Sequence, residues 1–401
     1  LLLRLDGLPD AALRLLEGAA VLGREFDLTQ AIDLAEGAPD IEPLLARGLL
    51  VEREAGRAAF RHALMRDAVY AEVPWPRRRA LHRTVAARLE LEGAPAQAIA
   101  EHWLAARESE PARVALLRAA DQSCAMHAYQ DAASAAQRAL ELWPEGRDEA
   151  RRLDLLDQLG LCAQLSVALP EAARAWREGA DGHRALGDTR AAAMAARRLA
   201  GVAELQGTWE RALAARAEAA QSFVACGLPA EAAAEHLAAA AHLRSAGRFR
   251  AALELLELAR AEAERAARPD LQARILGHEG SVRARMGQGA EGLALARAGL
   301  ALALEHNHAV AAGEIYQRLA DALEHTGEYE GAKDTYRTAF AFCQANAIPA
   351  TAQLCIACLT AVLRQTGEWA EAMRLCREVL AAQTSTVHAR AVAGGMLGEL
   401  Y

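Results

Sequence analysis

The chain reads as an all-α protein: a solenoid of stacked helical hairpins that follows a small domain of helices and a β-hairpin. Three observations lead there. Hydrophobic residues make up 53% of the 401 residues while aromatics make up only 4%, and alanine carries much of the apolar share. Alanine is the best helix former and lets helix backbones approach closely. Small residues also recur at fixed places every forty residues, and this recurrence fails before Arg113, where the pattern becomes mixed.

From the start, "PDAALRLLEGAAVLG" (Pro9 to Gly23) is amphipathic, with a proline at its head and a glycine at its end, the ordinary bounds of a helix. "LTQAIDLAEG" and "DIEPLLARGLL" predict two shorter helices. "LLVEREAGRAAFRH" then alternates around Gly56 as a β-hairpin does. Three helices and a hairpin in that order describe a winged helix, so residues 1–75 are assigned to a winged-helix-like domain. "PRRRALHRTVAARLELEG" and "PAQAIAEHWLAARE" follow as helices of a connector over 76–112.

The repeat occupies 113–401. Tyr129, Leu169, Trp209, Phe249, Gly289, Tyr329 and Trp369 each lie forty residues after the last. Three positions after each comes alanine or glycine, from Ala132 to Ala372. Nine before come Ala120, Gly160, Ala200, Ala240, Gly280, Ala320 and Thr360. Two before, five of the seven are glycine: Gly207, Gly247, Gly287, Gly327 and Gly367. The small residues let two antiparallel helices touch, and the glycine closes the first helix in a left-handed cap. One hairpin cannot bury its apolar face alone, so neighbours must stack. The aromatics, Trp209 and Trp369 among them, are expected in the core beneath each turn. The turns at Leu169 and Gly289, which lack one, are expected to be the loosest. "HARAVAGGMLGELY" reads as the first helix of a truncated eighth unit, the mark of a fragment of a longer protein.

Charge and cysteine content narrow the class. A net charge of −8 with both signs interspersed argues against a dedicated nucleic-acid surface. Seven scattered cysteines fit a reducing, cytoplasmic setting better than a disulfide framework. No signal peptide is evident at "LLLRLDGLPD". The uncharged run Thr338 to Leu363 carries Gln344, Asn346, Pro349 and Gln353 and falls in register with the repeat, so it reads as a buried helix pair and not as a membrane span. A phosphate-binding loop needs glycines and a lysine that reaches the phosphates. The sole lysine, Lys333, lies in a repeat helix, so nucleotide hydrolysis is not expected of this chain.

"SAGRFRAALELLELA" and "HTGEYEGAKDTYRTAF" carry a G-x-aromatic-x-x-A signature that resembles the tetratricopeptide repeat, over Arg113 to about Arg390. The unit is longer than the usual ~34 residues, which implies lengthened helices. Five blocks of the first part resemble the segment after the ATPase core in STAND-type signalling proteins, which include large LuxR-type transcriptional regulators and ATPase-linked nucleotidyl cyclases. They are "AAVLGREFDL", "LLARGLLVE", "FRHALMRDAVYAEVP", "RRRALHRTVAARLE" and "AIAEHWLAA". The resemblance implies a switch: an upstream core binding ATP or ADP, repeats that sense a protein or small-molecule inducer, self-association on activation, and DNA reached only through a domain outside this chain. An "F-x-H" context implies that His62 contacts the nucleotide's phosphate. The alternatives are the sensor region of a cyclase or kinase, or a free-standing scaffold.

Each candidate residue also has a plainer reading. His62 could be a helix-start histidine bonded to nearby backbone, with Arg61 and Arg66 solvated. Arg77, Arg78, Arg79 and Arg83 in "PRRRALHR" could dock an acidic face or DNA phosphate, or be a solvated face. Cys355 and Cys358 in "CIAC" read as packing residues, since no second pair follows at a zinc-like distance. His306 and His308 in "HNH" read as a loop. The first helices of such arrays line the inner surface. There Asp154, Asp157, Arg197, Glu204, Arg244, Arg274, Gln317, Asp321, Glu324 and Arg364 are the expected partner-binding residues, and a solvated inner face is the alternative.

Overall fold

A computed structural model describes residues 5, 7–36, 40–54 and 56–400. The amino-terminal segment folds as α1 (Asp10–Leu22), β1 (Glu25–Asp27), α2 (Leu28–Leu34), α3 (Glu42–Ala46), β2 (Leu50–Glu52) and β3 (Arg57–Phe60). The strands form one antiparallel sheet in the order β1-β3-β2. Gly56 makes the hairpin turn with φ +76°, a backbone state that glycine enters without a Cβ clash. Asp27 caps α2, its carboxylate accepting from Gln30 N at 3.0 Å. Leu15, Leu16, Leu44, Leu49, Leu50 and Phe60 are buried together, and Phe26 and Phe60 pack with ring centroids 5.9 Å apart. Strand β1 was not foreseen, because three residues are too few to display alternation. Gly37, the expected end of the second helix, lies outside the described residues.

After α4 (Ala63–Glu72), α5 (Trp75–Leu91) and α6 (Ala96–Ala105), the chain settles into regular hairpins. Two compact units are present, Leu1–Gly179 and Ala180–Tyr401. In the first unit follow α7 (Ser109–Ala125), α8 (Tyr129–Glu141), α9 (Glu149–Leu165) and the start of α10 (Leu169–Ala185). The second unit holds α11 (Thr189–Leu205), α12 (Trp209–Ala225), α13 (Pro229–Ser245), α14 (Phe249–Arg265), α15 (Pro269–Arg285) and α16 (Gly289–Glu305). It continues with α17 (Ala309–His325), α18 (Tyr329–Ala345), α19 (Pro349–Gln365), α20 (Trp369–Ala381) and α21 (Val387–Leu400). This is a tetratricopeptide-like α-solenoid fold with lengthened helices, most of them 17 residues long.

The turn chemistry explains the regularity. Gly207, Gly247, Gly287, Gly327 and Gly367 all have φ between +68° and +84°. At one of them Gly247 N donates to Arg244 O at 3.0 Å and Arg248 N to Leu243 O at 2.8 Å, the paired bonds of a Schellman cap. The turns between hairpins use the same geometry through Gly187, Gly227, Ala267, Asn307 and Ala347. Helices α7 to α20 therefore begin every twenty residues, and the forty-residue period is two such steps.

Two expectations about the hairpins require correction. The Gly289 hairpin is not loose. A Cβ placed on Gly280 would lie 2.5 Å from Gly292 O, and one on Gly292 would lie 2.5 Å from Gly280 O. Backbone meets backbone there, so α15 and α16 pack closely without an aromatic at the turn. The repeat aromatics are not all core either: Trp209 is 47% and Trp369 60% exposed. Each stands at the first position of its helix, and Trp369 Nε1 reaches back to donate to Arg364 O at 3.1 Å. The run Thr338 to Leu363 spans the turn between α18 and α19, with Ala347 at φ +56°. Among the described residues no helix is long and apolar enough to cross a membrane.

Candidate functional site

In the second unit the first helices of successive hairpins enclose a groove of about 660 Å³. Four of the expected residues, Glu204, Arg244, Gln317 and Asp321, line it. They come together because α11, α13, α15 and α17 occupy equivalent places in consecutive repeats. Residues at one register position, such as Ser281 and Asp321, then stand side by side.

The charges of this inner face are mostly neutralised within the chain. Buried Glu235 accepts from Arg197 Nε at 2.6 Å and from Arg216 Nη1 at 2.7 Å, and Arg216 Nε reaches Glu204 at 2.7 Å. Arg197 also lies 4.5 Å over the Phe223 ring, a cation–π contact. Arg274 Nε donates to Glu314 at 2.7 Å, and His278 Nε2 shares the same carboxylate at 2.8 Å. Burial opposes ionisation of Glu314, but His278, Arg274 and Arg318 outweigh it and hold its carboxyl well below the usual range. Burial and the neighbouring Arg318 push His278 down to about 4 despite Glu314, so the imidazole is neutral near pH 7.

Asp321 forms the hub of the groove. Ser281 Oγ donates to it at 2.5 Å, Arg285 forks onto both its oxygens, and Arg244 Nη1 stands 3.8 Å away. Burial would raise its pKa; the Arg285 fork, Arg244 and Ser281 instead hold it at about 2. Arg244, with a side chain only 10% exposed, is lowered to about 10 by burial and by Arg318. Gln317 Nε2 donates to Cys358 Sγ at 3.5 Å. At the rim Trp209 packs on His242 with ring centroids 4.1 Å apart.

The remaining expected residues fall outside this lining. Glu324 accepts from Gln365 at 2.8 Å, and Arg364 pairs with Glu399 at 3.3 Å. Asp154 is exposed and Asp157 half-buried on α9 of the first unit. Arg216, Arg285, Arg318, Tyr336 and His388 line the groove but were not foreseen. The signal that could have found Arg318 is its register with Ala238, His278 and Cys358, forty residues apart. Cys355 is buried in α19, and among the described residues no group of three or more His, Cys, Asp or Glu could hold a metal ion. His306 to His308 fall at the turn between α16 and α17, with Asn307 at φ +55°.

In the first unit His62 is exposed at the head of α4. Its carbonyl accepts from Met65 N at 3.0 Å, and its side chain makes no capping bond. Arg66 is tied down, its Nε donating to Ala20 O at 2.8 Å. The arginines of "PRRRALHR" dock within the unit. Arg77 Nε meets Glu17 at 2.5 Å, Arg78 bonds Tyr70 O at 3.2 Å, and Arg79 and Arg83 both reach Glu108. Beneath them His82 bonds Tyr70 Oη at 2.8 Å and His102 Nδ1 at 2.9 Å. Burial, with His102, Arg66 and Arg78 nearby, lowers His82 to about 4.

No family model matches the chain, and no curated protein matches it. Solved structures do. A tetratricopeptide repeat protein from Parabacteroides merdae is 14% identical with a TM-score of 0.51, over 72% of this chain and 98% of that one. Aspartyl phosphate phosphatase F from Bacillus subtilis is 10% identical with a TM-score of 0.51, over 89% of this chain and 88% of that one. A Signal Transduction ATPase with Numerous Domains (STAND) protein with a tetratricopeptide repeat sensor, from Pyrococcus horikoshii, is 15% identical with a TM-score of 0.41. That match covers 98% of this chain, which spans 60% of the other protein's length.

Proposed function

We propose that this chain is the sensor and protein-interaction region of a STAND-type, ATP-dependent transcriptional regulator. In this reading the groove of the second unit takes an inducer or partner, and the winged-helix-like segment relays its arrival to an ATPase core encoded ahead of it. The observation that carries the reading is the groove itself. Residues from several hairpins converge on one concave site whose hub, Asp321, is held ionised by the protein. The five sequence blocks resembling the segment after a STAND core support the relay. Exposed His62, at the junction of β3 and α4, is the residue assigned to the nucleotide of that core.

The chain by itself is expected to turn over no ATP; hydrolysis that persists through further purification overturns this. The protein encoded by the whole open reading frame is expected to carry a phosphate-binding loop and to retain ADP on purification. His62→Ala is expected to speed ADP release in that protein. Unchanged release removes His62 from the mechanism, and a reading frame without an ATPase core defeats the proposal.

A further inference from the structure

A separate cavity, of about 480 Å³, lies within the first unit, where the ends of α4, α6 and α8 meet the starts of α5 and α7. Arg78, Arg79 and Arg107 line it, against a single carboxylate, Glu108. Glu108 is already shared: Arg79 Nη2 reaches it at 3.2 Å, and Arg83, from outside the lining, reaches the same oxygen. Arg79 is held further by Ala106 O, which accepts from its Nε at 2.7 Å. Arg78 Nη1 donates to Tyr70 O at 3.2 Å, and its guanidinium lies 4.8 Å from the centre of the Tyr70 ring. Among the described residues neither Arg78 nor Arg107 stands in an ion pair. The nearby carboxylates do not cancel them. Glu110 is paired with Arg113 at 2.7 Å, and Glu72, Glu101 and Glu141 are outside the lining. Three arginines against one carboxylate leave the lining with an excess of two positive charges.

The walls are aromatic and apolar. Trp75 is 52% exposed at the cavity, with the Arg79 guanidinium 5.6 Å from its ring centre. Tyr70 is fixed from behind: its hydroxyl bonds His82 Nε2 at 2.8 Å, and His82 Nδ1 bonds His102 Nδ1 at 2.9 Å. Leu104 and Leu142 complete the apolar side. A half-exposed tryptophan beside arginines suits a flat ring, which stacks against its face. The charge says what that ring carries. A carboxylate brings one negative charge, whereas a phosphate monoester near pH 7 brings close to two and three strong acceptor oxygens. The second matches two unpaired guanidinium groups, whose forks bind phosphate oxygens in pairs. Ser109 opens α7 in the same cavity and no side chain caps that helix, so its first N–H groups add to the positive field. The volume lies within the range of small-molecule sites.

We propose that this cavity is a ligand site in its own right and takes a small phosphate monoester bearing a flat ring, with the phosphate on Arg78 and Arg107 and the ring on Trp75. The site stands whether or not the sensor reading above holds. The test is isothermal titration calorimetry on the full chain with phenyl phosphate, adenosine monophosphate, inorganic phosphate and benzoate. At least one of the two ring-bearing phosphates is expected to bind about tenfold or more tightly than inorganic phosphate or benzoate. The tighter of the two says whether the ring is a single one or a nucleobase. Added salt is expected to weaken the binding. Arg78→Gln and Arg107→Gln are each expected to weaken it about tenfold. Trp75→Ala is expected to remove most of the advantage over inorganic phosphate. Arg107 and Trp75 are exposed, so their variants keep the test sound if Arg78→Gln fails to fold. The proposal is overturned if neither ring-bearing phosphate binds, or if inorganic phosphate or benzoate binds as tightly. It is also overturned if folded Arg107→Gln and Trp75→Ala variants bind like the parent, since a phosphate held in the groove of the second unit would not respond to these substitutions.

Discussion

Ser281 and Asp321 are forty residues apart and occupy the same place in consecutive repeats, and Ser281 Oγ donates to Asp321 Oδ2 at 2.5 Å. Arg274 and Glu314 repeat the relationship at 2.7 Å. The period visible in the sequence is thus also the spacing of the bonds that join one hairpin to the next. Ser281→Ala is expected to cost about 1.5 kcal/mol and Asp321→Ala about 3 kcal/mol, because Asp321 also neutralises Arg285. A double-mutant cycle by urea denaturation checks the pair, with a coupling near zero counting against a direct bond.

Gly280 and Gly201 are both helical glycines, and they are expected to respond oppositely to alanine. A Cβ on Gly280 meets Gly292 O at 2.5 Å and Ala296 N at 2.8 Å, so α15 and α16 must part. Gly280→Ala is expected to cost about 2 kcal/mol through this overpacking. Nothing lies within 4 Å of a Cβ on Gly201, so there alanine's helix preference should win by up to about 1 kcal/mol. Thermal unfolding of the two variants separates them; shifts in the same direction would refute the packing argument.

Val167 stands where five of the seven repeats place glycine and has φ +63°, an unfavourable state for a β-branched residue. It is 75% exposed, so its side chain contributes little packing. Val167→Gly is expected to stabilise the chain by about 1 kcal/mol, visible as a higher denaturation midpoint. A lower midpoint would mean that the side chain matters more than the backbone.

His82 and His278 each titrate near 4 when folded, well under the ordinary 6.5. Below pH 6.5 the unfolded chain takes up protons that the folded chain refuses. Their contribution to stability is therefore complete above 6.5 and is lost as the pH falls toward 4. Each histidine adds a slope of up to about 1.4 kcal/mol per pH unit in that window. His82→Asn and His278→Asn are expected to flatten the dependence of stability on pH between 4 and 6.5, and an unchanged slope would contradict the assignment.

Much of the fold was legible because a repeat states its geometry many times over. Glycine at Gly207, Gly247, Gly287, Gly327 and Gly367 marks left-handed caps, and each has the positive φ that this requires. The alternate turns were hidden, since Ala267, Asn307 and Ala347 enter the same state without a glycine to announce it. The site was only partly legible. Helical position named Arg244, Gln317 and Asp321 as inward-facing, but pairing is a property of three dimensions. Nothing in one dimension says that Asp321 is spent on Arg285 and Ser281.

From α9 to α20 the turns inside and between hairpins share one left-handed geometry, and each helix with its turn fills twenty residues. A gene that gained or lost one such step would keep every turn chemically sound. It would also exchange the inner and outer helices of everything downstream, turning groove residues outward. Only a doubled step preserves which helix faces in. Tandem duplication can therefore lengthen this chain only in pairs, and forty residues is its natural unit of inheritance.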